Sequence, residues 1–517
     1  MPDQRWGSEI DTSGYAGHPG LQYSPRPTTF ASLFAESARW AERTFLVHGA
    51  QRMSFAAFTE AVNAGVGALH DDGVRHGDRI MLYAYNSPQW VIALWSAWLS
   101  GAVPVLANRW WKRAEIDHAV GLLDPHLILT DTSLGISGTA RDINEFARSA
   151  LSAPAHMWEV ADPDATSTIL FTSGSSGLPK AVALSRRAVI ANQHNVLALT
   201  KRLPHQTNPD GLQSVSLAST PMFHVGGLSN LVSNFLTGGR VVIPEGRFDA
   251  GQVLALIERE GVHNWGGVPT MAVRVLEHPD FDSFDLSTLR AFPLGGAPVP
   301  TALLDRLRAR LPQLGSRGLG NTWGMTESGG FLTIATGADL QRYPGTVGRP
   351  YPVVELVIDS PDADGVGEIL ARSPTVMNGY VGIDDDTVDA DGWLHTGDLG
   401  HLNADGYLFI DGRAKDIVIR GGENIGCGQV EAALASHPAV IEVAAIGLPH
   451  PDLGEELAAV IVHRPGEPAP TEDDLRAHVC GMLAHFAVPT RWHISTTALP
   501  TLPGEKVNKK GLADRFD

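Results

Sequence analysis

Apolar residues recur every three or four positions at Phe55, Phe58, Val62, Val66 and Leu69, a spacing that predicts an amphipathic helix capped by Ser54. Gly73 is placed to stop it, and residues 78–83 (Asp-Arg-Ile-Met-Leu-Tyr) follow as a strand. The same rhythm predicts helices over 252–260 and 302–310 and a strand over 169–171. Strands alternating with helices imply βαβ units. The expected fold is therefore α/β, with a large multi-part N-terminal domain of mostly parallel sheets flanked by helices. Residues 90–107 form a run of 18 positions without a charge, the lower limit for a membrane span. Ser96, Ser100, Gly101 and Pro104 interrupt it, so it reads as a helix end followed by a buried strand. No transmembrane segment is expected.

The texture changes near residue 413. A short polar junction, 413–416, precedes an apolar strand, the glycine pair Gly421 and Gly422, and a small α/β module. That module is predicted to hold a helix over 429–436, strands over 441–446 and 458–462, and a helix capped by Thr471 with Glu472, Asp473 and Asp474 in its first turn. The chain divides on this reading into an N-terminal domain, 1–412, a hinge, 413–416, and a small C-terminal domain, 417–517.

A length of 517 residues suits two to four domains. With 43% hydrophobic and 19% charged residues, intrinsic disorder is excluded. The formal net charge of −18 argues against binding nucleic acid or an anionic membrane over a broad surface, but leaves room for a small basic pocket around a phosphorylated ligand. The two cysteines, Cys427 and Cys480, cannot build a disulfide framework and fit a reducing compartment. The first fifteen residues lack an apolar core of signal-peptide length, which points to a cytoplasmic protein. Among the 20 histidines no spacing suits zinc, and none is expected.

The most informative segment runs from a buried strand into Thr172, Ser173, Gly174, Ser175, Ser176, Gly177 and Lys180. Backbone N–H groups, hydroxyls and a lysine in such a loop make a phosphate cradle. The P-loop of kinases and GTPases fits poorly, because the glycines stand too close together and Ala181 follows the lysine. A flexible surface loop fits the composition equally well.

Further strings follow in order: Pro221-Met-Phe-His224, Gly295-Gly-Ala-Pro298, Trp323-Gly-Met-Thr-Glu327, Asp391-Gly-Trp-Leu-His-Thr-Gly-Asp398, Gly412-Arg-Ala-Lys-Asp416, Gly421-Gly-Glu-Asn-Ile425 and Gly504-Glu-Lys506. With the 172–180 loop, this set resembles the adenylate-forming superfamily of acyl-CoA synthetases, peptide-synthetase adenylation domains and beetle luciferases. The resemblance covers about residues 28–512.

It implies that ATP activates a carboxylic acid as an acyl-adenylate, that pyrophosphate leaves, and that a thiol such as CoA takes the acyl group. Thr172, Ser173, Gly174, Ser175, Ser176, Gly177 and Lys180 would then hold phosphates. Gly296, Ala297, Pro298, Trp323 and Gly324 would frame adenine, with Trp323 standing where tyrosine is commoner. Asp398 and Arg413 would bind ribose and phosphate. Glu327, with Thr326 and Thr172, would hold Mg²⁺, a hard cation suited to oxygen ligands. Lys506 resembles the catalytic lysine that bridges carboxylate and α-phosphate. Its neighbour Glu505 departs from the usual Thr-Gly-Lys, and Lys509 and Lys510 make a solvated basic tail the plainer alternative. Phe223, His224, Val225, Gly226, Gly227, Gly295, Gly296, Gly324 and Met325 would line the acyl pocket, where the glycines, with Gly329 and Gly330, leave room and His224 stands as a gate. Gly421, Gly422, Glu423 and Cys427 would shape the CoA channel. Lys415 would be the hinge residue, since relatives use the C-terminal domain in two orientations.

The 223–228 run carries no carboxylate to pair with the ammonium of an amino acid, and burying that charge alone is costly. An apolar acid is expected, probed first among medium- or long-chain fatty acids, with aryl and alicyclic acids also open. Two alternatives stand beside an acyl-CoA ligase: a ligase that loads a carrier-protein phosphopantetheine, and a silent nucleotide-binding protein on the same fold. A homodimer is a further expectation.

Overall fold

The computed structural model describes residues 6–12, 19–134, 140–149, 162–173, 178–413, 416–420, 423–502 and 504–516. Ser54 caps the helix Phe55–Asp71 by accepting the Ala57 N–H, and Phe55, Phe58, Val62, Val66 and Leu69 are all buried. The apolar run at 90–107 divides at its breakers. Pro88–Leu99 is a helix and Val103–Leu106 a buried strand, with Gly101 between them at φ 74°. No helix among the described residues is long and apolar enough to cross a membrane.

Two large sheets make up most of the first half of the chain, beside a two-stranded ribbon of Glu9–Asp11 and Gln22–Ser24. In the seven-stranded sheet, Val103–Leu106, Arg79–Tyr83, Leu127–Thr130 and Ala140–Asp142 run parallel, and Thr166–Ser173 joins them in parallel. Pro179–Ser185 then turns back antiparallel against Thr166–Ser173, and Gly379–Tyr380 closes that edge. The five-stranded sheet is parallel across Asn264–Trp265, Val215–Leu217, Arg240–Ile243 and Thr44–His48, with Gln51–Ser54 antiparallel at its edge. The helices predicted at 252–260 and 302–310 are Ala250–Glu260 and Thr301–Arg310.

The parallel pattern runs on where Phe292–Gly295 pairs with Leu319–Met325 and then gives way. Glu355–Asp359, Gly367–Arg372, Leu394–Leu402 and Leu408–Arg413 form a wholly antiparallel sheet. Leu394–Leu402 and Leu408–Arg413 are joined by a tight turn in which Gly406 adopts φ 76° and its N–H donates to Asn403 O. So short a connection permits only antiparallel pairing, because a parallel crossover needs a dozen residues or more. The sheets are therefore mixed overall, a refinement of the mostly parallel expectation.

Arg413 ends that sheet and Ile417 begins the next, with the Asp416 N–H donating to Arg413 O at 2.9 Å. The C-terminal sheet joins Glu423–Gly426, Ile417–Arg420, Gly454–His463 and Val440–His450, and Arg491–Ser495 runs parallel to Gly454–His463. It encloses its own apolar cluster, including Val418, Val430, Leu434, Leu457, Ile461, Leu475 and Val479. Thr471 caps the helix Glu472–Cys480 in a reciprocal box with Asp474, as its first turn predicts. Lys415, Gly421 and Gly422 lie outside the described residues.

Candidate active site

The cleft is assembled by strand ends. Thr172 and Lys180 face each other as register partners on Thr166–Ser173 and Pro179–Ser185, so the hairpin brings a hydroxyl and a lysine to one edge. Gly174, Ser175, Ser176 and Gly177, between them, lie outside the described residues. The Lys180 ammonium stands 4.4 Å from the centre of the Tyr380 ring and 3.9 Å from Asp385 Oδ2. Tyr380 in turn donates its hydroxyl to Glu327 Oε1 at 2.8 Å. Burial, followed by the charge of Glu327, raises the Tyr380 phenol well above its ordinary range, so it remains a donor.

Thr326 and Glu327 follow the strand Leu319–Met325 in a turn fixed by Ser328. The buried Ser328 hydroxyl accepts from the Met325 N–H and lies 2.7 Å from Gly330 O, and the Gly329 N–H closes onto Thr326 O. On the same strand Trp323 is 8% exposed and packs against Leu332, Val347 and Tyr351. Its indole N–H donates to Asp398 Oδ2 at 2.8 Å. The Arg413 Nε donates to Asp398 Oδ1 at 2.7 Å. Partial enclosure of this largely exposed side chain disfavours the guanidinium's charge, yet Asp398 more than offsets this and holds the Arg413 pKa above its usual value.

Lys506 enters from the C-terminal domain. A Cβ on Gly296 would lie 3.4 Å from Lys506 Cε and 3.8 Å from its Nζ, so the ammonium rests over a glycine held at φ 74°. The Lys506 side chain is exposed to solvent, although protein groups crowd around it. That enclosure lowers the Lys506 pKa, and Arg413 lowers it further against the opposing pull of Glu327 and Asp398. One cation from the C-terminal domain thus meets Gly296, Glu327, Asp398 and Arg413 in one place. Ala297 and Pro298 continue the turn after Phe292–Gly295.

Beside it stands an aromatic group. Phe223 lies 4.6 Å from His224 and 5.3 Å from Trp110, centre to centre. His224 occupies the N-cap position of the helix Val225–Leu236 without a side-chain capping bond, and its Nε2 is 3.0 Å from where a Cβ on Gly504 would be. A Cβ on Gly226 would meet only Phe331 Cζ, at 4.0 Å. The other glycines serve the protein's own packing rather than leaving room. A Cβ would come within 2.2 Å of Pro221 O at Gly227, 2.3 Å of Thr322 Oγ1 at Gly295 and 2.1 Å of Gly330 O at Gly324. At Gly329 and Gly330 it would come within 2.0 Å of Thr375 O and Asn192 Oδ1. Met325 pairs with Gly330 across the neighbouring strand.

The candidates for a CoA channel are placed differently. Cys427 opens the helix Cys427–Ala435 and is buried with Ile425, Val430 and Leu434. Burial pushes its thiol up to about 11. Glu423 is exposed on the adjoining hairpin. Tyr380, Asp385, Trp110 and Arg274 carry no mark in the sequence, because none stands in a recognisable string. Among the described residues no three His, Cys, Asp or Glu side chains cluster as a metal site would.

Known proteins match over most of the chain. The family model for the AMP-binding enzyme matches residues 33–381, and that for the AMP-binding enzyme C-terminal domain matches 429–504. A feruloyl-CoA synthase of an Amycolatopsis species is 31% identical, over 92% of this chain and 96% of its own. A fatty acid–[acyl-carrier-protein] ligase, ScoC, of Streptomyces coeruleorubidus is 30% identical, over 87% and 89%. The solved structure of o-succinylbenzoate CoA synthetase from Bacillus subtilis, in complex with its acyl-adenylate intermediate, superposes with a TM-score of 0.79 at 26% identity, over 94% of this chain and 98% of that one.

Proposed function

We propose, from the premise that this chain belongs to the adenylate-forming AMP-binding enzymes and is an acid–thiol ligase using ATP and CoA, that its cleft activates an apolar carboxylic acid. The observation that carries this reading is the approach of Lys506 to Gly296 beside Glu327, Asp398 and Arg413.

The acid's carboxylate oxygen attacks the α-phosphorus, the bond to pyrophosphate breaks, and acyl-adenylate remains. Lys506, as its ammonium, would neutralise charge gathering between carboxylate and α-phosphate. Thr172 and Lys180 would grip the outer phosphates, with the Lys180 ammonium steadied by the Tyr380 ring face. Asp398 would accept the ribose hydroxyls, its carboxylate already oriented by Trp323 and Arg413. In the second half-reaction the thiol sulfur attacks the acyl carbonyl, the bond to phosphate oxygen breaks, and AMP leaves.

The donor set suits Mg²⁺. Glu327 offers a hard carboxylate that, among the described residues, is engaged by Tyr380 at Oε1, and Thr326 and Thr172 add hydroxyls. Mg²⁺ is commonly held by one or two carboxylates together with substrate phosphates, and when bound it would screen the charge on pyrophosphate. Lys415 is the proposed hinge, between the sheet that ends at Arg413 and the one that begins at Ile417.

Phe223, Val225, Trp110 and Phe331 supply an apolar wall without a carboxylate, which supports an acid with an apolar aliphatic or ring-bearing body. CoA is the proposed acceptor, and the likeness to ScoC keeps a carrier-protein thiol as the second reading. AMP release from a panel of fatty, aryl and alicyclic acids, with CoA or holo-carrier protein, tests both points. No AMP with any acid and either thiol would sink the proposal.

A further inference from the structure

The loop that delivers Lys506 is fastened to the N-terminal domain by charge. The helix Pro269–Leu276 begins beside the cleft, and Val268 at its cap would lie 3.6 Å from a Cβ on Gly296. Arg274, near the helix's other end, forms an ion pair through Nη1 with Glu505, the residue immediately before Lys506. Its Nε lies 4.0 Å from Glu442 on the strand Val440–His450. Glu442 reaches back to the same loop, accepting the Leu499 N–H at 2.8 Å. Three residues beyond Arg274 the polarity reverses. Glu277 accepts Nε and Nη2 of Arg464 from the C-terminal domain, each at 3.2 Å, and also pairs with Arg306.

The loop itself is stiffly held. Glu505 adopts φ 64°, uncommon for a residue with a side chain, and Thr501 Oγ1 donates to its Oε2 at 3.3 Å. The Glu505 N–H donates to Leu502 O, and the Leu502 N–H donates to Lys506 O. Moving the Glu505 carboxylate therefore moves Lys506. Side-chain exposures of 29% for Arg274, 18% for Glu505 and 9% for Glu442 place the pair between the domains rather than on open surface. The same loop brings Gly504 against His224, whose Nε2 would lie 3.0 Å from a Cβ there, at the position expected to gate the incoming thiol.

We infer that Arg274, paired with Glu505 and backed by Glu277 with Arg464, is a two-pronged latch that positions Lys506 for acyl-adenylate formation and must open before thiol attack. Arg274 touches no reacting atom in this assignment; it is a positioning residue. The inference rests on the function proposed above, and its test separates the two.

Acyl-adenylate formation is followed by ATP–pyrophosphate exchange with an acid that the enzyme accepts. The second half-reaction is followed by adding CoA to a supplied acyl-adenylate. Arg274→Glu replaces attraction by repulsion and is expected to slow exchange roughly tenfold to a hundredfold in kcat. Thioester formation should stay at the parent rate or rise, which also shows that the variant is folded. The double variant Arg274→Glu/Glu505→Arg restores opposite charges and should bring exchange back to within about threefold. Equal slowing of both half-reactions, no slowing, or no rescue by the double variant overturns the latch. Lys506→Ala, run alongside, reports on the underlying function: if it leaves exchange intact, the assignment of Lys506 falls, and the latch with it.

Discussion

Asp398 and Arg413 stand directly opposite each other on neighbouring antiparallel strands, with the guanidinium Nε 2.7 Å from the carboxylate. The pair is lopsided. The Asp398 side chain is 5% exposed and that of Arg413 56%, so solvent compensates the cation far better than the anion. Arg413→Ala leaves a buried carboxylate with the Trp323 N–H as its side-chain donor. Removing one partner of a fully buried pair costs about 3–5 kcal/mol, and the exposure of Arg413 brings the expected loss to about 1–2 kcal/mol. Denaturant unfolding measures it. Asp398→Asn should instead act mainly on ATP, raising its KM in pyrophosphate exchange by about tenfold or more while the fold is kept. An unchanged KM would remove Asp398 from the nucleotide site.

Glu327 and Tyr380 form the second testable pair. Glu327→Gln keeps size and removes charge, and exchange should fall by about 10²–10³-fold, as for loss of one major electrostatic contact. Tyr380→Phe removes the hydroxyl that donates to Oε1 but keeps the ring beneath Lys180. A smaller loss, about fivefold, with a higher Mg²⁺ requirement is the expected result, since one neutral donor to a charged acceptor is worth about 1.5–3 kcal/mol at most. A Mg²⁺ titration of exchange in both variants decides whether the two act together. Insensitivity of both variants to Mg²⁺ would remove the cation from Glu327.

Much of this arrangement was legible in the sequence because it rests on local rules. Ser54 and Thr471 cap their helices through side-chain oxygens, and the break at Gly101 needs a backbone few residues adopt. The family strings located Glu327, Asp398, Arg413 and Lys506, but spacing alone could not say that strand register sets Arg413 opposite Asp398. What stayed hidden is long-range. Tyr380 lies 53 positions from Glu327 and Arg274 lies 231 from Glu505, and neither has a local pattern that marks its partner. The glycines misled for a related reason. A chain cannot show that the missing Cβ at Gly324 or Gly330 makes way for a neighbouring strand or side chain rather than for a ligand.

The two cysteines should behave differently toward alkylating reagents. Cys480 is exposed, whereas Cys427 is buried with its thiol pushed up to about 11. At pH 8 only about 0.1% of such a thiol is thiolate, the form that reacts. Iodoacetamide should therefore label one thiol in the native protein and two after denaturation, with activity retained in the singly labelled enzyme. Rapid native labelling of Cys427 would show that its helix start is open.

Lys415 is tested by proline. Proline fixes φ near −65° and restricts the residue before it, so a backbone required in two states loses one. Lys415→Pro is expected to leave pyrophosphate exchange largely intact and to slow thioester formation from supplied acyl-adenylate by about 10²-fold or more. Small and equal effects on both half-reactions would rule out a hinge there.

Lys506 makes the most discriminating case, because charge and position can be varied separately. Lys506→Ala should abolish most acyl-adenylate formation yet leave a supplied acyl-adenylate reactive with CoA. Its pKa is lowered by enclosure and then by Arg413. The working form is the ammonium, so exchange should fall as pH rises through this lowered value, on the acid side of where an ordinary lysine would lose its proton. Replacing Arg413 by alanine removes a repelling cation while Glu327 and Asp398 still favour the ammonium. The alkaline limb of exchange should then move to higher pH even though the rate itself is lower. Stability carries the opposite sign. The unfolded chain holds this proton more tightly than the folded one, so the cost of enclosing the charge is fully present below the folded pKa and is relieved as pH rises through it. Because the side chain is exposed, solvent screens this cost, and Lys506→Ala should change stability only slightly at neutral pH, with any gain shrinking on the alkaline side. An alkaline limb that stays in place when Arg413 is replaced would mean that another group sets it.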